Sequence, residues 1–197
     1  MAERVPQRAI ELTDPRALRA LAHPVRLALI GLLRREGPLT ATAAGARLGE
    51  SATTCSFHLR QLAKYGLVEE AGRGPGRERP WRATALFTSW PNVAPSAEMA
   101  AASQLLEGII VERYLERLTR WLEQKPSEPR EWQEASGFGD WILYVTADEL
   151  AELGRAVEAL VERYAERTAD PARRPADARL VGFIALAFPE PGPPEER

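Results

Sequence analysis

Between Ser51 and Lys64 the chain places Thr53, Phe57, Arg60 and Lys64 three and four residues apart, with Ser56 and Gln61 beside them. At helical periodicity these side chains share one face. Their chemistry suits the edges of base pairs. Arg60 and Gln61 can make two parallel hydrogen bonds to a base, Thr53 and Ser56 can reach bases or phosphates, and Phe57 can touch a thymine methyl. Ser51, Thr54 and His58 complete the candidate set, at the start and the edge of the same helix. Cys55, Leu59 and Leu62 follow i, i+4, i+7 and must face a core, with Ala52 beside them. The same pattern fits an ordinary amphipathic helix with a solvated outer face, and the helix alone does not choose.

The surrounding elements are those a reading helix needs. Asp14-Pro15 opens a short helix to Leu21, and His23-Pro24 starts a second, to about Glu36, with Val25, Leu29, Leu32 and Leu33 on one face. Thr40 caps a third helix to Leu48, Gly49 makes a turn, and Ser51 caps the fourth, which Gly66 stops. Gly45, four residues before the turn, allows two helices to approach closely, which is helix-turn-helix geometry. Strands near Val68–Glu70 and Trp81–Ala85 flank a Gly-Arg-Gly-Pro-Gly-Arg tip, the pattern of a hairpin.

Three segments, Leu21-Ala-His-Pro-Val-Arg-Leu27, Ser56-Phe-His-Leu-Arg-Gln-Leu62 and Tyr65-Gly-Leu-Val68, resemble the ArsR-type winged-helix repressors over residues 12–86. The resemblance implies a homodimeric regulator that inserts the helix 51–65 into the major groove of double-stranded DNA. It also makes the loop 71–80 a wing, in which Arg73, Arg77 and Arg79 follow phosphates or enter the minor groove. Many proteins of this type sense metals through paired cysteines on the third helix or histidine-carboxylate sets near the C-terminus. Here the third helix reads Ala-Thr-Ala-Ala-Gly-Ala-Arg-Leu and no histidine follows residue 58, so neither a metal site nor any cofactor is expected.

Other chemistry is sparse. His23 and His58 are the only histidines, and Cys55 is the only cysteine. His23 reads as a buried hydrogen-bonding spacer, His58 as a phosphate contact or a structural hydrogen bond, and Cys55 as core, with a redox switch as a weak alternative. No serine-histidine-acid order or glycine-rich phosphate loop emerges, so an enzyme is not expected. No run of eighteen apolar residues and no signal-peptide core occur, which points to a cytoplasmic protein with no membrane partner.

The net charge of -2 hides an asymmetry. Residues 1–90 carry 14 Arg or Lys against 8 Asp or Glu, whereas residues 91–197 carry 12 against 20. The basic half is the one with the helix-turn-helix pattern, as a phosphate-facing surface requires.

The expected architecture is mainly α within an α+β class. It comprises a winged helix-turn-helix at 12–86, a dimerisation helix at 97–124 and a small C-terminal α/β unit at 130–188. The long helix would span about 42 Å, more than one small domain can cover. Leu106, Ile109, Ile110, Leu118 and Trp121 are its expected dimer contacts, against the alternative that it packs on its own C-terminal strands. Next come a strand at Trp141–Val145, a helix opened by Thr146 and Glu149 with Leu150, Leu153, Val157, Leu160 and Tyr164 on one face, and a strand at Leu180–Phe188. That helix should lie on a sheet of the two strands. The aromatic content of this half also allows an apolar small-molecule effector pocket, with core packing as the plainer reading. Two further readings of the whole chain remain: a winged helix that docks another protein, and an enzyme carrying a DNA-binding head.

Overall fold

Strand β1 (Gln7–Glu11) leads into α1 (Pro15–Leu21), α2 (Pro24–Glu36), α3 (Ala41–Leu48) and α4 (Ala52–Lys64). These positions belong to a computed structural model that describes residues 7–72 and 79–190. Each helix start is closed by its own cap: the Asp14 carboxylate accepts from Arg16 N–H (2.8 Å), His23 Nδ1 from Val25 N–H (3.1 Å), Thr40 Oγ1 from Ala43 N–H (3.1 Å) and Ser51 Oγ from Thr54 N–H (3.0 Å). These bonds satisfy amides that the helices leave without partners.

Two small sheets follow. β2 (Val68–Glu70) pairs antiparallel with β3 (Trp81–Ala83), with Val68 opposite Ala83 and Glu70 opposite Trp81. β4 (Ala85–Ser89) runs parallel to β1, with Ala9 opposite Phe87. The expected strand 81–85 is thus two strands that part at Thr84. Its hydroxyl donates to Gly66 O at 2.6 Å and its N–H to Leu67 O, so the chain leaves one sheet there for the other. The sequence reading had no counterpart for β1, because Gln7–Glu11 makes a strand only by pairing with residues nearly eighty positions away.

α5 (Ala97–Gln124) completes the first of two units, Met1–Glu123 and Gln124–Arg197. Its first turns belong to the core of that unit. Met99, Ala102 and Leu106 are buried with Leu18, Leu29, Leu59, Leu62 and Leu67, and Ile110 packs against the same cluster. Arg19 pairs with Glu98 at 2.8 Å and Trp90 Nε1 donates to Glu107 at 3.0 Å, so polar contacts frame the apolar seam.

The expected dimer contacts on α5 differ in exposure. Leu106 is fully buried inside its own unit and is not exposed to a partner, while Ile110 is half-buried against the same cluster. The helix has two apolar faces, and the exposed one carries Val111, Leu115 and Leu122 with half-buried Leu118 among them. Ile109 and Trp121 are half-buried.

The second unit contains a 3-10 turn at Lys125–Ser127, α6 (Arg130–Ala135), α7 (Ala147–Glu162), α8 (Ala165–Ala169) and a second 3-10 turn at Pro171–Arg173. α7 begins with the expected capping box: Glu149 N–H donates to Thr146 Oγ1 while the Glu149 carboxylate accepts from Thr146 N–H at 2.7 Å. The segment between α5 and residue 141 includes α6, whose last turn is tied by Ser136 Oγ donating to Trp132 O. The strands expected at 141–145 and 180–188 are not formed, and among the described residues no sheet underlies α7. A strand needs a neighbour for its amides, and neither segment has one here.

Candidate nucleic-acid interface

The interface is built from the α3–turn–α4 pair. Gly49 ends α3 at φ 70°, a left-handed conformation that glycine adopts without the Cβ penalty. Gly45 sits where the chain returns: Glu50 N–H donates to Gly45 O at 3.0 Å, and a Cβ on Gly45 would lie 2.6 Å from Glu50 O. The turn can close on α3 only because that side chain is missing. Ser51 then starts α4, and its hydroxyl lies 2.8 Å from that of Thr54.

Cys55, Leu59 and Leu62 are wholly buried and anchor α4, which turns its opposite side to solvent. Thr53, Phe57, Arg60 and Lys64 are all exposed there, Phe57 by 51 %. Ser56 and Gln61 are half-buried at the margins, and Arg60 donates to Ser56 Oγ at 2.9 Å. Ser51 is exposed and Thr54 half-buried, both partly engaged in the cap, while Ala52 is exposed rather than beside the core residues. α4 contains no acidic residue, so nothing on the helix opposes a polyanion.

His58, expected as a phosphate contact or a structural hydrogen bond, does not share the exposure of the other candidates on α4. It is only 8 % exposed, and its ring lies 4.5 Å from that of His23, on the α2 side of α4. Its side chain is thus turned away from the exposed face of α4, and its buried Nδ1 has no hydrogen-bond partner among the described residues. Burial is the main cause holding the pKa of both imidazoles below the ordinary histidine range; for His58, His23 and Arg26 add to it, and for His23, Arg26 does. Burial likewise raises the Cys55 thiol, the opposite of what a reactive thiolate requires.

Only the base of the expected wing, at the ends of β2 and β3, lies among the described residues. Ala71 N–H donates to Pro80 O at 2.7 Å, and Arg82 pairs with Glu69 across the β2–β3 ladder at 2.9 Å. Arg79 is exposed at the base and reaches Glu70 at 3.4 Å. Arg73 and Arg77 lie outside the described residues.

A further group was not legible from spacing. Arg16, Arg19 and Arg26 converge with Gln61 and Tyr65 on a cleft of about 270 Å³ beside α4. Arg16 is held by Asp14 and Arg19 by Glu98, whereas Arg26 makes one long bond, 3.4 Å, to Arg19 O and its buried Nε has no partner. Gln61 belongs to both surfaces, so the cleft continues the exposed face of α4 along its flank. Arg34 is instead a structural clamp from α2 to β4. It donates to Ala85 O (2.9 Å) and Thr88 Oγ1 (2.6 Å), and burial lowers its pKa to about 10.

Among the described residues no three His, Cys, Asp or Glu side chains gather as a metal would need, and no helix is long and apolar enough to cross a membrane. No curated protein matches the chain. Residues 21–71, from the end of α1 to the first residue after β2, match the helix-turn-helix domain family and form a helix-turn-helix DNA-binding domain.

Proposed function

We propose that this protein is a homodimeric transcriptional repressor of the ArsR type that reads an inverted repeat by inserting α4 into the major groove. The observation that carries the reading is the joint exposure of Thr53, Phe57, Arg60 and Lys64 on a capped helix whose other side is locked by Cys55, Leu59 and Leu62. Arg60, with Gln61 beside it, supplies bidentate base contacts, and Phe57 meets a thymine methyl. Lys64 and the Arg16, Arg19 and Arg26 cleft neutralise phosphates on the flank, and the wing arginines Arg73, Arg77 and Arg79 do so beyond β2 and β3.

The dimer seam is the outer stripe of α5, where Val111, Leu115, Leu118 and Leu122 recur at spacings of four, three and four. That is the pattern of a two-helix seam. A two-fold protein matches a two-fold site, with half-sites roughly 34–36 Å apart.

Selection of genomic fragments by the purified full chain at stated salt identifies the site, and Arg60→Ala then tests the reading face. The variant is expected to lose about 1–3 kcal/mol on the selected site and to discriminate less against random duplex. Unchanged affinity for both would show that α4 does not read bases.

A further inference from the structure

Among the described residues of the second unit, none is buried, although the segments Trp-Ile-Leu-Tyr-Val (141–145) and Leu-Val-Gly-Phe-Ile-Ala-Leu-Ala-Phe (180–188) are apolar throughout. Trp141 is 80 % exposed and Tyr144 entirely so. The apolar seam of α7 is uncovered as well, with Leu153, Leu160 and Tyr164 all exposed. A stretch of chain with these side chains and no core is missing the surface that would cover them.

The pattern indicates what that surface is. In 141–145 and in 180–188 side chains are apolar at odd and even positions alike, which is the composition of a strand covered on both sides rather than one. α7 has a single apolar side, its other positions including Asp148, Glu152, Arg155 and Glu158. One chain therefore offers two strands that need two covers, and one helix able to cover a single side. Two strands alone also make a sheet of marginal stability in water. A second copy removes both deficits, because it brings two more strands with the same composition and a second covering helix. No charged residue lies in either segment to oppose like pairing with like. The exposed side chains amount to on the order of 1,000 Å² per copy, which reaches the roughly 800 Å² per partner of a stable interface.

We propose that residues 141–145 and 180–188 are strands of a sheet completed only between two copies of this chain, so that the core of the C-terminal unit is shared by the dimer. The inference deepens the dimer of the preceding reading and rests on its two-fold assembly, but not on its DNA contacts or on the α5 seam.

Two measurements on the full chain test it. In an equimolar mixture of isotope-labelled and unlabelled protein, nuclear Overhauser contacts between copies are expected to link 141–145 with 180–188. Hydrogen exchange at both segments is expected to be at least tenfold slower in the dimer than after dilution into monomer, as followed by sedimentation. Contacts confined within one copy, protection that persists in the monomer, or no protection in the dimer would each overturn the proposal. The variants Ile142→Lys with Val181→Lys, and Leu115→Glu with Leu122→Glu, separate it from the α5 seam. Loss of the dimer in the first pair supports the shared sheet, whereas loss in the second pair alone, with the first pair fully dimeric, overturns the shared sheet and leaves the α5 seam standing.

Discussion

The rings of His23 and His58 lie 4.5 Å apart, centroid to centroid, and join the first residue before α2 to the middle of α4. His23 Nδ1 is occupied by Val25 N–H, while His58 Nδ1 is buried without a partner. A proton on either ring would face the other imidazole and Arg26, with Glu50 the one nearby group that favours it.

Both histidines bind protons less readily when folded than when unfolded, so acid favours the unfolded chain. Their contribution is complete above the ordinary histidine pKa of about 6.5 and is lost as pH falls through that value toward the lowered folded one. Urea midpoints from pH 7.5 to 5.5 are expected to decline, and His58→Gln is expected to decline less steeply. Parallel curves for the two proteins would show that the pair is not what titrates.

Gly45 and Gly108 both lie inside helices, but their surroundings predict opposite outcomes. A Cβ on Gly45 would meet Glu50 O at 2.6 Å, whereas nothing lies within 4 Å of one on Gly108. Gly45→Ala is expected to destabilise by about 1–3 kcal/mol through the forced shift of the turn, despite its better helix propensity. Gly108→Ala is expected to stabilise by about 0.5–1 kcal/mol. Thermal unfolding of the two variants checks both signs.

Arg26 has a buried Nε with no partner and no acidic residue bonded to it, which suits a phosphate at the cleft it shares with Arg16 and Arg19. Arg26→Gln is expected to weaken specific and random duplexes alike and to lower the slope of log affinity against log salt by about 0.9, one phosphate. Titrations at several salt concentrations measure this. An unaltered slope would place the cleft away from DNA.

The two sides of α5 predict different failures. Leu106→Ala removes a fully buried side chain and is expected to cost about 2–5 kcal/mol of stability without direct loss of a subunit contact. Leu115→Glu with Leu122→Glu touches only exposed positions and is expected to weaken subunit association while leaving the unfolding of the first unit nearly unchanged. Sedimentation and urea unfolding of both proteins distinguish the outcomes.

The sequence by itself determined what depends on neighbours within a few turns. Caps at Asp14, Thr40, Ser51 and Thr146 mark helix starts because the capping side chain and its amide are two or three residues apart. The sides of α4 were legible because Cys55, Leu59 and Leu62 leave only one way to orient Thr53, Phe57, Arg60 and Lys64. Contacts between distant residues were decided by tertiary structure alone. α5 is apolar on two sides, and only its packing on Leu18 and Leu59 shows that Leu106 lies inward while Leu115 lies outward. Arg16, Arg19 and Arg26 share a cleft because α1 and α2 fold back onto the flank of α4, and the same packing brings His23 to within 4.5 Å of His58. β1 exists because β4 supplies its ladder, and 141–145 and 180–188 remain unpaired because a strand is a property of two segments, not one.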